Sequence, residues 1–211
     1  MSTQISKWRY LLASAFLGGS LYCILTYVSF ILFPGSFTLD DYLSVLGNSS
    51  LNPNGAIFYN LAVMQVGVLL PLFYLGLYKT FGEERKNLFV IAVLIGFLNS
   101  LSVMMSGVFS EDMYELHYFW SFMIFATWIP VLFLTNFALL KRSGPIKWVS
   151  LYGLALAVFD TLFVFYVLLI GTDSGAIIEW ITIFSFIIWA ILLASSALRE
   201  SVDSSTISKE L

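Results

Sequence analysis

Few polar side chains interrupt the apolar runs of this chain, and any chemistry has to be sought among them. An ionisable group at the centre of a bilayer costs several kcal/mol on insertion scales, so it needs a partner or a role. Asp160 is the deepest such group. It follows Lys147 by 13 residues, ~20 Å of helix, which puts it near the midplane. Asn99 and Ser100 reach a similar depth, and Gln65 comes close from the opposite side. Gly96, Asn99, Ser100, Ser106 and Gly107 fall mostly on one helical face, as do Gly153, Ala157 and Asp160. Small residues let helices approach, and polar groups then bond across the contact. The spacing predicts that the third and fifth helices pack together, with Asp160 bonded to Asn99 or Ser100. Two roles fit Asp160: interhelical glue in the protonated form, or proton or ion handling.

An outer layer holds Asn60, Ser106, Glu111, Asp112, Glu115, His117 and Glu179. Glu179 stands ~10 Å above Asp160 along the bundle, too far for a direct acid–base pair. Glu111, Asp112 and His117 are read as a loop before the fourth helix. His117 follows Asp112 by five positions, so the two can converge on one ligand if the segment turns. One His with several carboxylates could hold a divalent cation. These groups could equally bond one another or face water, and no metal site or cofactor is assigned.

Six apolar segments must position these layers, at about 10–33, 56–78, 87–109, 118–140, 147–170 and 177–198. Each has the ~20 residues needed to cross a ~30 Å hydrocarbon layer. All ten Lys and Arg fall before the first, between the second and third, between the fourth and fifth, or after the sixth. Cytoplasmic loops retain Lys and Arg, so both termini are expected in the cytoplasm. The expected fold is all-α: a polytopic six-helix transmembrane domain over 1–200 and a polar cytoplasmic tail over 201–211. The basic start and long first run read as a retained signal anchor rather than a cleaved signal peptide.

The first exterior connection, 34–55, has its own pattern. Thr38 and Asp41 form a capping-box-like pair, and Leu39, Leu43 and Leu46 recur on one helical face. A short amphipathic helix is expected there, ended by Gly47-Asn48, with Asn52-Pro53-Asn54-Gly55 turning into the second span. Asn48-Ser49-Ser50 matches a glycosylation acceptor. The exterior turn 171–176 is expected to be tight. Pro71 and Pro130 are expected to kink their helices.

Composition agrees with lipid as solvent: 59% hydrophobic and 11% charged, against about 25% charged for soluble domains. The net charge of -3 and the lack of a basic stripe beyond the membrane flanks exclude a nucleic-acid partner. Cys23 stands alone, so it forms no intrachain disulfide. A single His excludes three-His zinc and bis-His haem sites. There is no His-Glu-x-x-His, Walker loop, Gly-x-Ser-x-Gly or dinucleotide fingerprint, so nothing indicates an enzyme.

Three pieces carry a resemblance to a known family. They are Tyr42-Leu43-Ser44-Val45-Leu46-Gly47 followed by Asn52-Pro53; Ile57-Phe58-Tyr59-Asn60 with Gly67 and Leu70; and Gly107-Val108-Phe109-Ser110-Glu111-Asp112 followed by His117. Over about residues 35–140 the chain resembles the six-helix prokaryotic membrane proteins of domain of unknown function 998. Ser110 stands where that pattern commonly has Pro. A more remote likeness is to the Frag1/DRAM/Sfk1 membrane proteins, some of which are implicated in lipid remodelling. The resemblance implies a fold, no established activity, and a prokaryotic cell membrane as location.

Three functions remain open. The first is an exterior-facing polar pocket for a lipid headgroup or small ligand, roofed by 39–47 and built from Asn60, Glu111, Asp112, His117 and Glu179. The second is a proton- or cation-coupled transporter using Asp160. The third is a non-catalytic subunit of a membrane assembly, since Phe-rich helices four to six offer lateral surface for lipid, a partner protein or a second copy.

Overall fold

The computed structural model describes residues 8–83, 85–171 and 175–210, apart from the side chains of Arg9 and of 200–210. Lys7 and residues 172–174 of the turn 171–176 therefore lie outside the described residues. The described residues form six long helices: α1 (Ser14–Ile31, led in by a 3-10 turn Arg9–Ala13), α2 (Ala56–Phe81), α3 (Lys86–Val108), α4 (Tyr114–Leu139), α5 (Pro145–Ile170) and α6 (Ala176–Glu210). Each is long and apolar enough to cross a membrane. The described residues contain no strand. α4 begins earlier than its apolar run suggests, so His117 lies in its first turn and not in a loop. α6 continues as helix through residues 201–210, the segment read from sequence as a tail.

Glycine and proline punctuate the helices where their backbone chemistry requires it. Gly144 at φ +66 breaks the chain and Pro145 opens α5 at its first position. Gly171 at φ +99 closes the same helix, donating its N–H to Val167 O at 3.1 Å. Pro71 and Pro130 fall inside α2 and α4, each of which stays assigned as one continuous helix.

Each helix packs on its neighbours in the chain, and α6 closes the bundle against α1. The expected pairing of α3 with α5 does not form as a packed contact: α4 stands between them. The connections 82–85, 109–113 and 140–144 are too short to skip a neighbour. The small residues are used, but on the adjacent helix. A Cβ on Gly67 would come within 2.5 Å of Met104 N, one on Gly96 within 2.6 Å of the Tyr74 ring, and one on Gly107 within 2.8 Å of Asn60 O. Gly153 of α5 lies against the Asn136 amide of α4.

Large rings of α6 fill the centre. Trp189 is fully buried, contacts Phe73 edge-on at 5.8 Å and donates to Asn136 Oδ1 at 3.0 Å. Phe186 stacks on Trp128 at 4.3 Å.

The connections segregate to two ends. At one, Lys79 lies 5.1 Å from the Trp8 ring, Arg85 5.5 Å from Phe137 and Arg142 5.2 Å from Phe81. This is the basic end. At the other, the first connection meets the third and the first turn of α6, with Glu111, Asp112 and Glu179. This is the acidic end.

Candidate functional site

At the acidic end the first connection is tied down as a cap. The amphipathic segment is a five-residue 3-10 helix, Leu43–Gly47, with Leu43 and Leu46 fully buried and Leu39 left 55% exposed before it. Thr38 and Asp41 do pair, Thr38 N donating to Asp41 Oδ2 at 2.8 Å, but they close the turn ahead of the helix. A chain segment crossing the end of a bundle brings unpaired backbone groups, and each needs a partner. Asn52 supplies several. Its side chain is fully buried; Nδ2 donates toward Leu46 O (2.9 Å), Ser29 Oγ (3.0 Å) and Ser29 O (3.3 Å), and Oδ1 accepts from Gly55 N at 3.1 Å. Asn60 Nδ2 donates to Gly47 O at 3.0 Å. Asp112 accepts from Ser49 N at 3.0 Å and from Ser110 Oγ at 2.9 Å. Asn48 Nδ2, the atom a glycan would occupy, donates to Glu111 Oε2 at 2.8 Å. From α6, Glu179 Oε2 accepts from Leu43 N at 2.7 Å, and Trp180 Nε1 donates to Asp41 O at 2.9 Å.

Beneath this cap lie two adjoining cavities of about 120 Å³ and about 70 Å³. Ser44, His117, Ser121, Phe125 and Glu179 line both. The first runs outward along α4 and α5 past Tyr118, Phe122, Val164 and Val167 and also meets Tyr42 and Glu111. The second runs inward to Tyr22, Tyr59 and Trp128. Of the outer-layer residues, the structure thus brings Glu111, His117 and Glu179 to one cavity. Asn60 and Asp112 do not line it; they hold the cap.

His117 has a defined tautomer. Its Nδ1 lies 3.1 Å from Ser106 O and 2.9 Å from Phe109 O, two carbonyls, so Nδ1 carries the hydrogen. Those carbonyls belong to the C-terminal end of α3, where backbone acceptors lack helical partners. Nε2 is left as the acceptor, and Ser121 Oγ lies 3.1 Å from it. A hydroxyl on an imidazole nitrogen is the contact of a nucleophile–base pair. Here the Ser is in mid-helix, four residues from its His, with no carboxylate on Nδ1. A fourth span beginning at 118 leaves His117 outside the helix and hides its pairing with Ser121; a helix from 114 puts 117 and 121 on one face.

The deeper polar groups are not gathered. Asn99 accepts from Tyr74 Oη at 2.8 Å and donates to Thr127 Oγ1 at 2.9 Å and Ile124 O at 3.1 Å, joining α2, α3 and α4. Ser100 donates to Gly96 O within its own helix at 2.7 Å. Gln65 Nε2 reaches Gly18 O of α1 at 3.1 Å. Asp160 is fully buried and neither carboxyl oxygen has a hydrogen-bond partner, so the expected bond to Asn99 or Ser100 is absent. It occupies the face of α5 that carries Phe163, Val164 and Val167, one turn deeper than the cavity wall. Among the described residues no three His, Cys, Asp or Glu converge as a metal site.

Comparison with curated proteins and with solved structures gives no match. The profile of one family does match, over residues 16–196, and so includes α5 and nearly all the bundle part of α6 as well as the cap and cavity. The chain belongs to the family described as protein of unknown function (DUF998).

Proposed function

We propose that this integral membrane protein uses the capped cavity at its acidic end to hold a lipid headgroup or small amphipathic ligand, and that this end faces the cell exterior. The orientation rests on the cationic residues, which stand at the basic end and mark it as cytoplasmic. The observation that carries the ligand reading is Glu179. It is only 7% exposed, comes from the last helix, and lines both cavities beside His117. A carboxyl group held in a largely aromatic and aliphatic recess is a costly arrangement that a ligand can use.

Lipid mass spectrometry of the purified protein tests it. A stoichiometric small molecule should copurify, and Val164→Trp, which fills the outward cavity, should displace it. Retention of the same molecule by the filled variant, or its absence from the unfilled protein, refutes the reading.

A second reading, proton- or cation-coupled transport through Asp160, draws on the unpartnered carboxyl one turn below the cavity. It requires Asp160→Asn to abolish coupled flux in proteoliposomes. Asp160→Leu separates function from packing. Removing a buried group that bonds to nothing should hold or raise stability by about 1–3 kcal/mol. A fall in stability with unchanged flux would make Asp160 a packing residue.

A further inference from the structure

The charge and ring inventory of the cavity narrows the ligand. Resting on the pocket reading above, we infer that the group it selects is an ammonium, carried by an amphipathic molecule whose chain leaves between α4 and α5.

Two carboxylates face the outward cavity, Glu111 and Glu179. The Glu179 side chain uses one oxygen on Leu43 N and makes no other hydrogen bond among the described residues. His117 lines the same space, with its Nε2 already taken by the Ser121 hydroxyl at 3.1 Å. No Lys or Arg among the described residues lines either cavity. The cationic side chains of Lys79, Arg85 and Arg142 stand at the opposite end, ~35–40 Å away along helices of 23–26 residues. A phosphate entering alone would find two like charges and no counter-ion. A cation would find both carboxylates.

Much of the remaining wall is aromatic. Tyr42, Tyr114, Tyr118, Phe122, Phe125 and Phe163 surround the same space. Ring faces attract cations, and quaternary ammonium groups are the ligands that aromatic cages recognise. At about 120 Å³ the outward cavity is several times the ~10–15 Å³ one water needs. Tyr114 and Tyr118 are 60% and 41% exposed, so the recess reaches the bundle surface there. Val164 and Val167 continue the wall along α5, an apolar path for a chain.

The ammonium can belong to a phospholipid headgroup or to a free amine, and the test separates them. Full-length protein in maltoside micelles would be titrated with dodecyltrimethylammonium, with uncharged dodecanol, with anionic lysophosphatidylglycerol, with lysophosphatidylcholine and with choline, following tryptophan emission. Dodecyltrimethylammonium is expected to bind about tenfold or more tighter than dodecanol, the size of a desolvated cation–ring and carboxylate contact. Glu179→Gln keeps an acceptor for Leu43 N, so the cap bond survives, and should lose about that tenfold. Glu111→Gln provides a second charge removal away from the cap's 3-10 helix. Tyr118→Leu keeps the apolar wall and should weaken only the cationic probes. Tight lysophosphatidylcholine with weak choline assigns a lipid source; tight choline assigns a free amine.

Equal binding of all single-chain probes, unchanged by Glu179→Gln and abolished by Val164→Trp, would overturn ammonium selection and leave the pocket standing. Preference for lysophosphatidylglycerol would overturn it too. Binding of none would remove both.

Discussion

Asn52 is the sharpest test of the cap. It is fully buried, its amide reaches three acceptors on two segments, and its carbonyl takes the Gly55 N–H. Asn52→Ala leaves Leu46 O with only the Ser29 hydroxyl at 3.2 Å and Gly55 N with only the backbone carbonyl of position 52 at 3.2 Å. A buried group stripped of its bond costs about 1–3 kcal/mol. Each group keeps one longer bond here, so the two losses together come to about 2 kcal/mol. At about 2–4 °C per kcal/mol for a chain of this length, the apparent melting temperature should fall by roughly 6 °C. Asn52→Asp is the informative partner. It keeps the acceptor for Gly55 N but turns a carboxylate oxygen toward Leu46 O and Ser29 O, acceptor against acceptor. It should therefore destabilise more than Ala, despite being the closer isostere. Asn54→Ala, two residues on and exposed, is the control and should change little. The readout is thermal unfolding in maltoside, with protease cleavage within 36–50 as a local measure. If Asp is milder than Ala, or if Asn52→Ala cuts no faster than Asn54→Ala, the hydrogen-bond account of the cap is wrong.

Two further outcomes are expected. Gly67→Ala should destabilise by about 1–3 kcal/mol, because its Cβ would meet Met104 backbone that cannot rotate away; Gly35→Ala, where the nearest atom is 3.8 Å off, should be near neutral in the same melt. In a Cys23→Ala background, Ser50→Cys should react with an impermeant maleimide on intact cells while Ser143→Cys reacts only after lysis; the reverse pattern would invert the assigned orientation.

The helices were legible because their signals are long and one-dimensional: apolar runs of at least 20 residues, with cationic turns on alternate connections. What the sequence does not encode locally is which neighbour a polar face meets. The faces of α3 and α5 are real, yet each is spent on the adjacent helix, so depth matching of Asp160 with Asn99 was not evidence of contact. The same limit applied at the cap. Asn52 reads as a turn residue, and only the fold shows that its side chain points back to α1. Leu39 fits the apolar period of Leu43 and Leu46, but the Thr38–Asp41 turn puts it outside the helix. Glu111, His117 and Glu179 were recoverable from sequence because each is a polar group at a helix end. Their aromatic surroundings come from α4 and α5 faces whose rings look, in sequence, like any lipid-facing rings.

The tie from Leu43 to Glu179 spans 136 positions of chain. During synthesis α1 and the segment behind it emerge well before α6 exists. The recess therefore stays unroofed on its α6 side until the final span has entered the bilayer. A nascent chain stalled after α5 would present Tyr42 and Ser44 without their anchor, so quality-control proteases have a ready way to distinguish unfinished molecules from finished ones.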